Sequence, residues 1–160
     1  FFASQLKVDA GFNKQVPLQH EYMQTFTDYA ADFGGANRVL VAVMAKDGDI
    51  FTKEYMATLE NITNDVINLD ATDDAKARSL FTPNVRFIEV VEDGLSGGNV
   101  IPQTFSPNLE GYEPPPEQLE KIKGNIVKAG IVGRLVAKDY SGSMVWADLI
   151  PESDVNKLDY

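Results

Sequence analysis

Apolar and polar positions along the chain alternate with helical, then extended, spacing several times over. Apolar side chains at Tyr22, Phe26, Tyr29, Ala30 and Phe33 share one helical face, so a helix is expected over 18–33. Gly34-Gly35 ends it. Residues 38–46 (RVLVAVMAK) are rich in β-branched side chains and do not alternate, which predicts a strand buried on both faces. Asp47-Gly48-Asp49 is turn chemistry. Thr52 fits an N-cap with Glu54 in the first turn. The helix it opens runs to about residue 69, with Tyr55, Leu59, Ile62, Val66 and Leu69 on one stripe.

Residues 70–76 read as a solvated connection. Strand pieces are expected over 77–92, broken at Pro83-Asn84, with 85–91 the clearer one. Residues 93–116 read as one long Gly/Pro-rich loop, of a length usually found where a loop is functional or mobile. Pro114-Pro115-Pro116 stiffens its exit and starts a third helix at Glu117, which packs Leu119, Ile122 and Ile126 and pairs Glu117 with Lys121. Gly130 and Gly133 then stop the helix and redirect the backbone. An extended run over 135–138, a polar turn at Asp139-Tyr140-Ser141-Gly142 and a returning strand over 144–150 make a hairpin. The opening residues 1–17 read as an extended segment, and 151–160 as a polar tail. This order predicts an α+β fold: a two-layer α/β sandwich, one mixed sheet with helices on one face, ferredoxin-like in part. Residues 1–160 read as a single domain.

Composition narrows the functional classes. The net charge of -10 opposes binding to phosphate backbones and anionic headgroups at large. With no cysteine there is no disulfide, thiolate zinc site or cysteine nucleophile. The longest apolar run, 39–45, is far short of the ~20 residues of a spanning helix. A chain opening on Phe1-Phe2 reads as a piece cut from a larger protein.

Candidate chemistry mostly fails on context. Gly94-Leu95-Ser96-Gly97-Gly98 matches the G-x-S-x-G elbow, but that motif needs a helix directly after the serine, and Asn99-Val100-Ile101-Pro102 is loop sequence. The single histidine, His20, lies upstream of Ser96, and a serine without a base is a weak nucleophile. Asp70, Asp73 and Asp74, and likewise Glu89, Glu92 and Asp93, lack the ligand spacing of a calcium loop. No phosphate-binding glycine motif opens a helix. These readings leave no catalytic residue, no metal and no cofactor. Phe105, Tyr112, Met144 and Trp146 remain as candidates to face a greasy substrate across an apolar cleft.

Four blocks carry a resemblance: GGANRVLVAV (34–43), SLFTPNVRFIEVVEDG (79–94), GGNVIP (97–102) and AGIVGRLVAKDYSGSMV (129–145). Together and in this order they resemble the first periplasmic loop of resistance-nodulation-division (RND) superfamily exporters. The similarity is to the branch of MmpL-like and hopanoid- or sterol-type lipid transporters. It implies a porter-type domain lying between two transmembrane helices, on the periplasmic side of the bacterial inner membrane. Its partners would be the second periplasmic domain of the same transporter, a hydrophobic or lipid-like substrate and periplasmic proteins. The proton-relay residues of such transporters lie in spanning helices and have no counterpart here. The long loop at 93–116 would gate the cleft or dock a partner. The alternative is a free-standing periplasmic lipid-binding or adaptor module; a small hydrolase using Ser96 is the third.

Overall fold

A computed structural model describes residues 38–70 and 72–150, together with 20–22, 24, 25, 28 and 29. The chain divides into two units, Phe1–Arg38 and Val39–Tyr160. In the first, residues 21, 22, 24, 25, 28 and 29 are helical, within the helix expected over 18–33. The rest of that expectation, the opening segment and the polar tail lie outside the described residues.

The second unit is α+β, with helices packed against antiparallel sheets. Its elements are β1 (Arg38–Met44, all but its first residue in this unit), α1 (Lys53–Ile67), β2 (Thr72–Arg78), β3 (Arg86–Val91), β4 (Gly94–Asn99), α2 (Pro116–Lys128) and β5 (Gly142–Leu149). The strands divide between two sheets, β1-β5-β2 and β3-β4. Strand β5 is central in the larger sheet and runs antiparallel to β2. The end of β1 meets the start of β5, where Ala45 N–H donates to Ser141 O at 2.8 Å, so these two also run in opposite directions.

Helix α1 forms where the sequence predicts it. The Thr52 hydroxyl accepts from Tyr55 N–H at 3.2 Å, which satisfies one orphan donor of the first turn. Thr52→Ala is expected to cost about 1 kcal/mol of stability, read from the urea midpoint. The helix buries Tyr55, Met56, Leu59, Thr63 and Val66 against β2 and β5. Leu69, expected on that stripe, lies past the helix end and is 48% exposed. The Thr72 hydroxyl closes this end, donating toward Val66 O (2.9 Å) and Leu69 O (2.8 Å).

Two elements differ from the sequence reading. The expected connection at 70–76 lies mostly within β2 (TDDAKAR), an unpromising strand sequence. Pairing makes it a strand: Thr72 lies opposite Leu149, Asp73 opposite Asp148 and Arg78 opposite Trp146, with a bulge between. The expected long loop begins with another strand, β4 (GLSGGN). It pairs with β3 in unbroken register from Arg86–Asn99 to Val91–Gly94. Gly97 is needed there, because a Cβ would meet Phe87 O at 2.7 Å. From Val100 onward the segment carries no further strand, yet it buries Val100, Ile101 and Phe105 in the core.

Helix α2 starts at Pro116, with Pro115 at its N-cap, and buries Ile122, Asn125 and Ile126. Glu117 and Lys121 do not pair. Lys128 instead reaches β3, bridging Glu89 at 2.5 Å with its ammonium 5.5 Å from the Phe87 ring. Gly130 takes a left-handed φ of 64° and its N–H bonds Val127 O at 3.0 Å, the expected helix stop.

Candidate functional site

The site is built where the hairpin at 135–144 meets β1. Gly133, at φ 81°, turns the chain back after α2. Its N–H bonds Val136 O at 2.6 Å, and Leu135 N–H bonds Ile131 O at 2.9 Å. The run at 135–138 is joined to β5 by one bridge, Val136 to Ser143, and by bonds from Ala137 N–H to Gly142 O (2.9 Å) and Met144 N–H to Leu135 O (2.8 Å). The hairpin is thus present, though its first arm is shorter than a strand. Asp139 closes the turn by accepting from Ser141 N–H (3.1 Å) and Ser141 Oγ (2.7 Å). Those bonds hold its carboxyl below the usual carboxylate range. Tyr140 is the one described non-glycine residue at positive φ, 59°. Its ring rests 5.4 Å from Phe51 and 5.5 Å from the Lys123 ammonium, and its carbonyl accepts from Ile50 N–H at 3.0 Å.

Side chains alternate across β5. Ser143, Val145 and Ala147 face α1, with Ser143 Oγ 2.7 Å from Tyr55 Oη, which donates to Val43 O at 2.9 Å. Burial pushes the Tyr55 hydroxyl pKa up, and the Ser143 bond opposes that shift. Met144 and Trp146 face the other way. On β1 the matching face carries Leu40, Ala42 and Met44, with Leu40 61% and Met44 60% exposed. Among the described residues, the strand expected to be buried on both faces lies at the edge of its sheet, with Leu40 and Met44 exposed.

Here lies a mostly apolar groove of about 330 Å³, floored by Ala42, Met44, Leu135 and Met144. Arg134 and Lys138 also line it. Gly142 is an obligatory floor residue, since a Cβ would meet Met44 Sδ at 2.6 Å and Val43 O at 2.7 Å. Two other grooves are more polar in character. One, at the start of α1, gathers Asp47, Asp49 and Glu54. The other lies between α2 and β3 beside Arg86, Asn99 and Lys121.

The structure separates the four residues singled out by the sequence. Met144 lines the groove, and Trp146 lies one pleat further along the same face, its ring 5.7 Å from the Arg78 guanidinium. Phe105 is 4% exposed in the core. Tyr112 meets it edge-on at 5.9 Å and bonds Gln118, so this pair braces the segment before α2. Leu40, Met44, Arg134 and Lys138 were not singled out. The apolar run at 39–45 was the signal for Leu40 and Met44, while Arg134 and Lys138 had no local signal.

Ser96 sits within β4 opposite Glu89, not on a strand-to-helix turn, so the elbow geometry is absent. His20 is exposed, with its ring 4.5 Å from that of Tyr22. Among the described residues no three histidine or acidic side chains converge as a metal ligand set, and no helix is long and apolar enough to cross a membrane. A second apolar surface is the outer face of the β3–β4 hairpin, where Ile88 (70%), Val90 (84%) and Leu95 (77%) are exposed. Set against known protein families, curated proteins and solved structures, the chain matches none.

Proposed function

We propose that this chain is the periplasmic porter domain of a proton-driven inner-membrane transporter of the RND superfamily, of the MmpL-like kind that moves hydrophobic or lipid-like substrates. The four sequence blocks support this reading. The observation that carries it is the apolar sheet face where Leu40 and Met44 are exposed beside the half-buried Met144, a face suited to being covered by another surface. A greasy cargo crossing an aqueous space keeps its surface dry at roughly 25 cal/mol per Å², and one sheet face supplies one wall for it. The second periplasmic domain of the transporter supplies the other wall. The bare hairpin face at Ile88, Val90 and Leu95 suits contact with a partner domain.

Cargo movement then follows from rigid α/β domains opening and closing over the wall, driven from the membrane. Bond chemistry has no part in it. The reading requires membrane-spanning helices encoded on both sides of this segment, and a gene without them overturns it. In the full-length protein, Met44→Asp is expected to reduce export of the lipid-like cargo while expression stays level. By itself the chain offers an open groove at the small end of the ~300–1,000 Å³ range of ligand pockets, so a weak affinity for hydrophobic ligands is expected. Tight, stoichiometric lipid binding by the chain alone in calorimetry would contradict the half-cleft arrangement.

A further inference from the structure

We propose that the groove selects an anionic amphiphile, holding its oxyanion headgroup against Arg134 and Lys138 and the first segment of its tail against Met44 and Met144. This deepens the porter reading by naming the class of cargo. Three observations carry it. First, the floor is apolar and rich in methionine, whose flexible thioethers fit irregular hydrocarbon. Second, two cations line that same groove in a chain of net charge -10. Among the described residues the ion pairs are Lys53–Glu113, Lys76–Asp73 and Lys128–Glu89, and neither Arg134 nor Lys138 belongs to one. The nearest acid in sequence, Asp139, accepts from Ser141 through Oδ1 and forms no ion pair with Lys138. Third, the turn geometry presents the cations. The Lys138 stem lies along Gly133, its Cε 3.4 Å from where a Cβ of that glycine would stand, and Arg134 follows that same turn.

The chemistry favours a headgroup with anionic oxygens, a carboxylate or a phosphate, because a guanidinium and an ammonium offer donors only. The acidic remainder of the surface repels an anionic bilayer, so the occupant is a single amphiphile and not a membrane surface. A groove of about 330 Å³ takes a headgroup and a short run of tail, leaving the rest of the tail to the facing wall.

Trp146, the only tryptophan, lies on this face and reports binding by its emission. The chain is titrated with decyl phosphate below its micelle concentration, with decyl maltoside, with inorganic phosphate, and with neutral vesicles doped with anionic lipid. Decyl phosphate is expected to saturate and to bind more tightly than the other probes. In Arg134→Gln/Lys138→Gln its affinity should fall about tenfold or more, the loss of charge-assisted bonds, while decyl maltoside is unchanged. Both side chains are exposed, so the variant should fold, which its far-UV dichroism checks. Lys138→Met keeps the stem, removes only the charge, and should show part of the same loss. The inference is overturned if decyl maltoside binds as well as decyl phosphate, or if the double variant binds decyl phosphate unchanged. It is equally overturned if inorganic phosphate matches decyl phosphate, the mark of a free-anion site, or if only vesicles bind. A gene without flanking membrane spans would end the transport reading and leave this selectivity intact. Equal binding of all probes would do the reverse.

Discussion

Leu59→Ala is expected to lower the unfolding free energy by about 3 kcal/mol, within the ~2–5 kcal/mol usual for such a truncation in a packed core. Leu59 is fully buried on α1, one turn from Met56 and Thr63, on the face that covers β2 and β5. Removing its branched end leaves a cavity bounded by the helix above and the sheet below. Neither can collapse freely. The C-terminal end of α1 is tied to β2 through Thr72, and its middle is tied by Thr63, whose hydroxyl lies 2.6 Å from Ser79 Oγ. The cavity therefore persists, and its lining loses dispersion contacts as well as transfer free energy. Urea unfolding would show a lower midpoint at constant slope. A loss under about 1 kcal/mol would mean that α1 is not clamped to the sheet in this way.

Gly142→Val should be nearly as damaging and should remove the groove as well. A Cβ at this position would stand 2.7 Å from Val43 O and 2.6 Å from Met44 Sδ. The sulfur can swing away, but the carbonyl belongs to β1 and accepts the Tyr55 hydroxyl bond. Making room thus means shifting β1 from β5 and loosening the Tyr55–Ser143–Val43 cluster together. Overpacking of this kind costs about 1–3 kcal/mol. In the same variant the saturable response of Trp146 to decyl phosphate should vanish, because the valine branches occupy the floor beside Met44. Wild-type stability with intact binding would place β1 elsewhere than against Gly142.

Much of the architecture could be read from local signals. Thr52 announced the start of α1, the proline run that of α2, and Gly130 and Gly133 the turn beyond, because capping, a fixed φ and left-handed backbone are properties of single residues. The fold class followed from the order of these elements. The division into two antiparallel sheets did not, because pairing partners far apart in sequence leave no local trace. Strands β2 and β4 show this most clearly. TDDAKAR and GLSGGN have poor strand propensity, and each is extended only because β5 or β3 offers it a ladder.

The candidate site divides the same way. Chain pattern alone placed Met144 and Trp146 on the returning strand over 144–150 and made 39–45 apolar throughout. Tertiary structure decided which face of that apolar run stays open. β1 became an edge strand with Leu40 and Met44 outward, while Phe105 was drawn into the core. It also decided that Arg134 and Lys138, which both follow the turn at Gly133, line the same groove as two methionines from different strands. The physical reason is that periodicity records only that a residue has two sides. What covers each side depends on loop closure and sheet order, which arise from the whole chain at once.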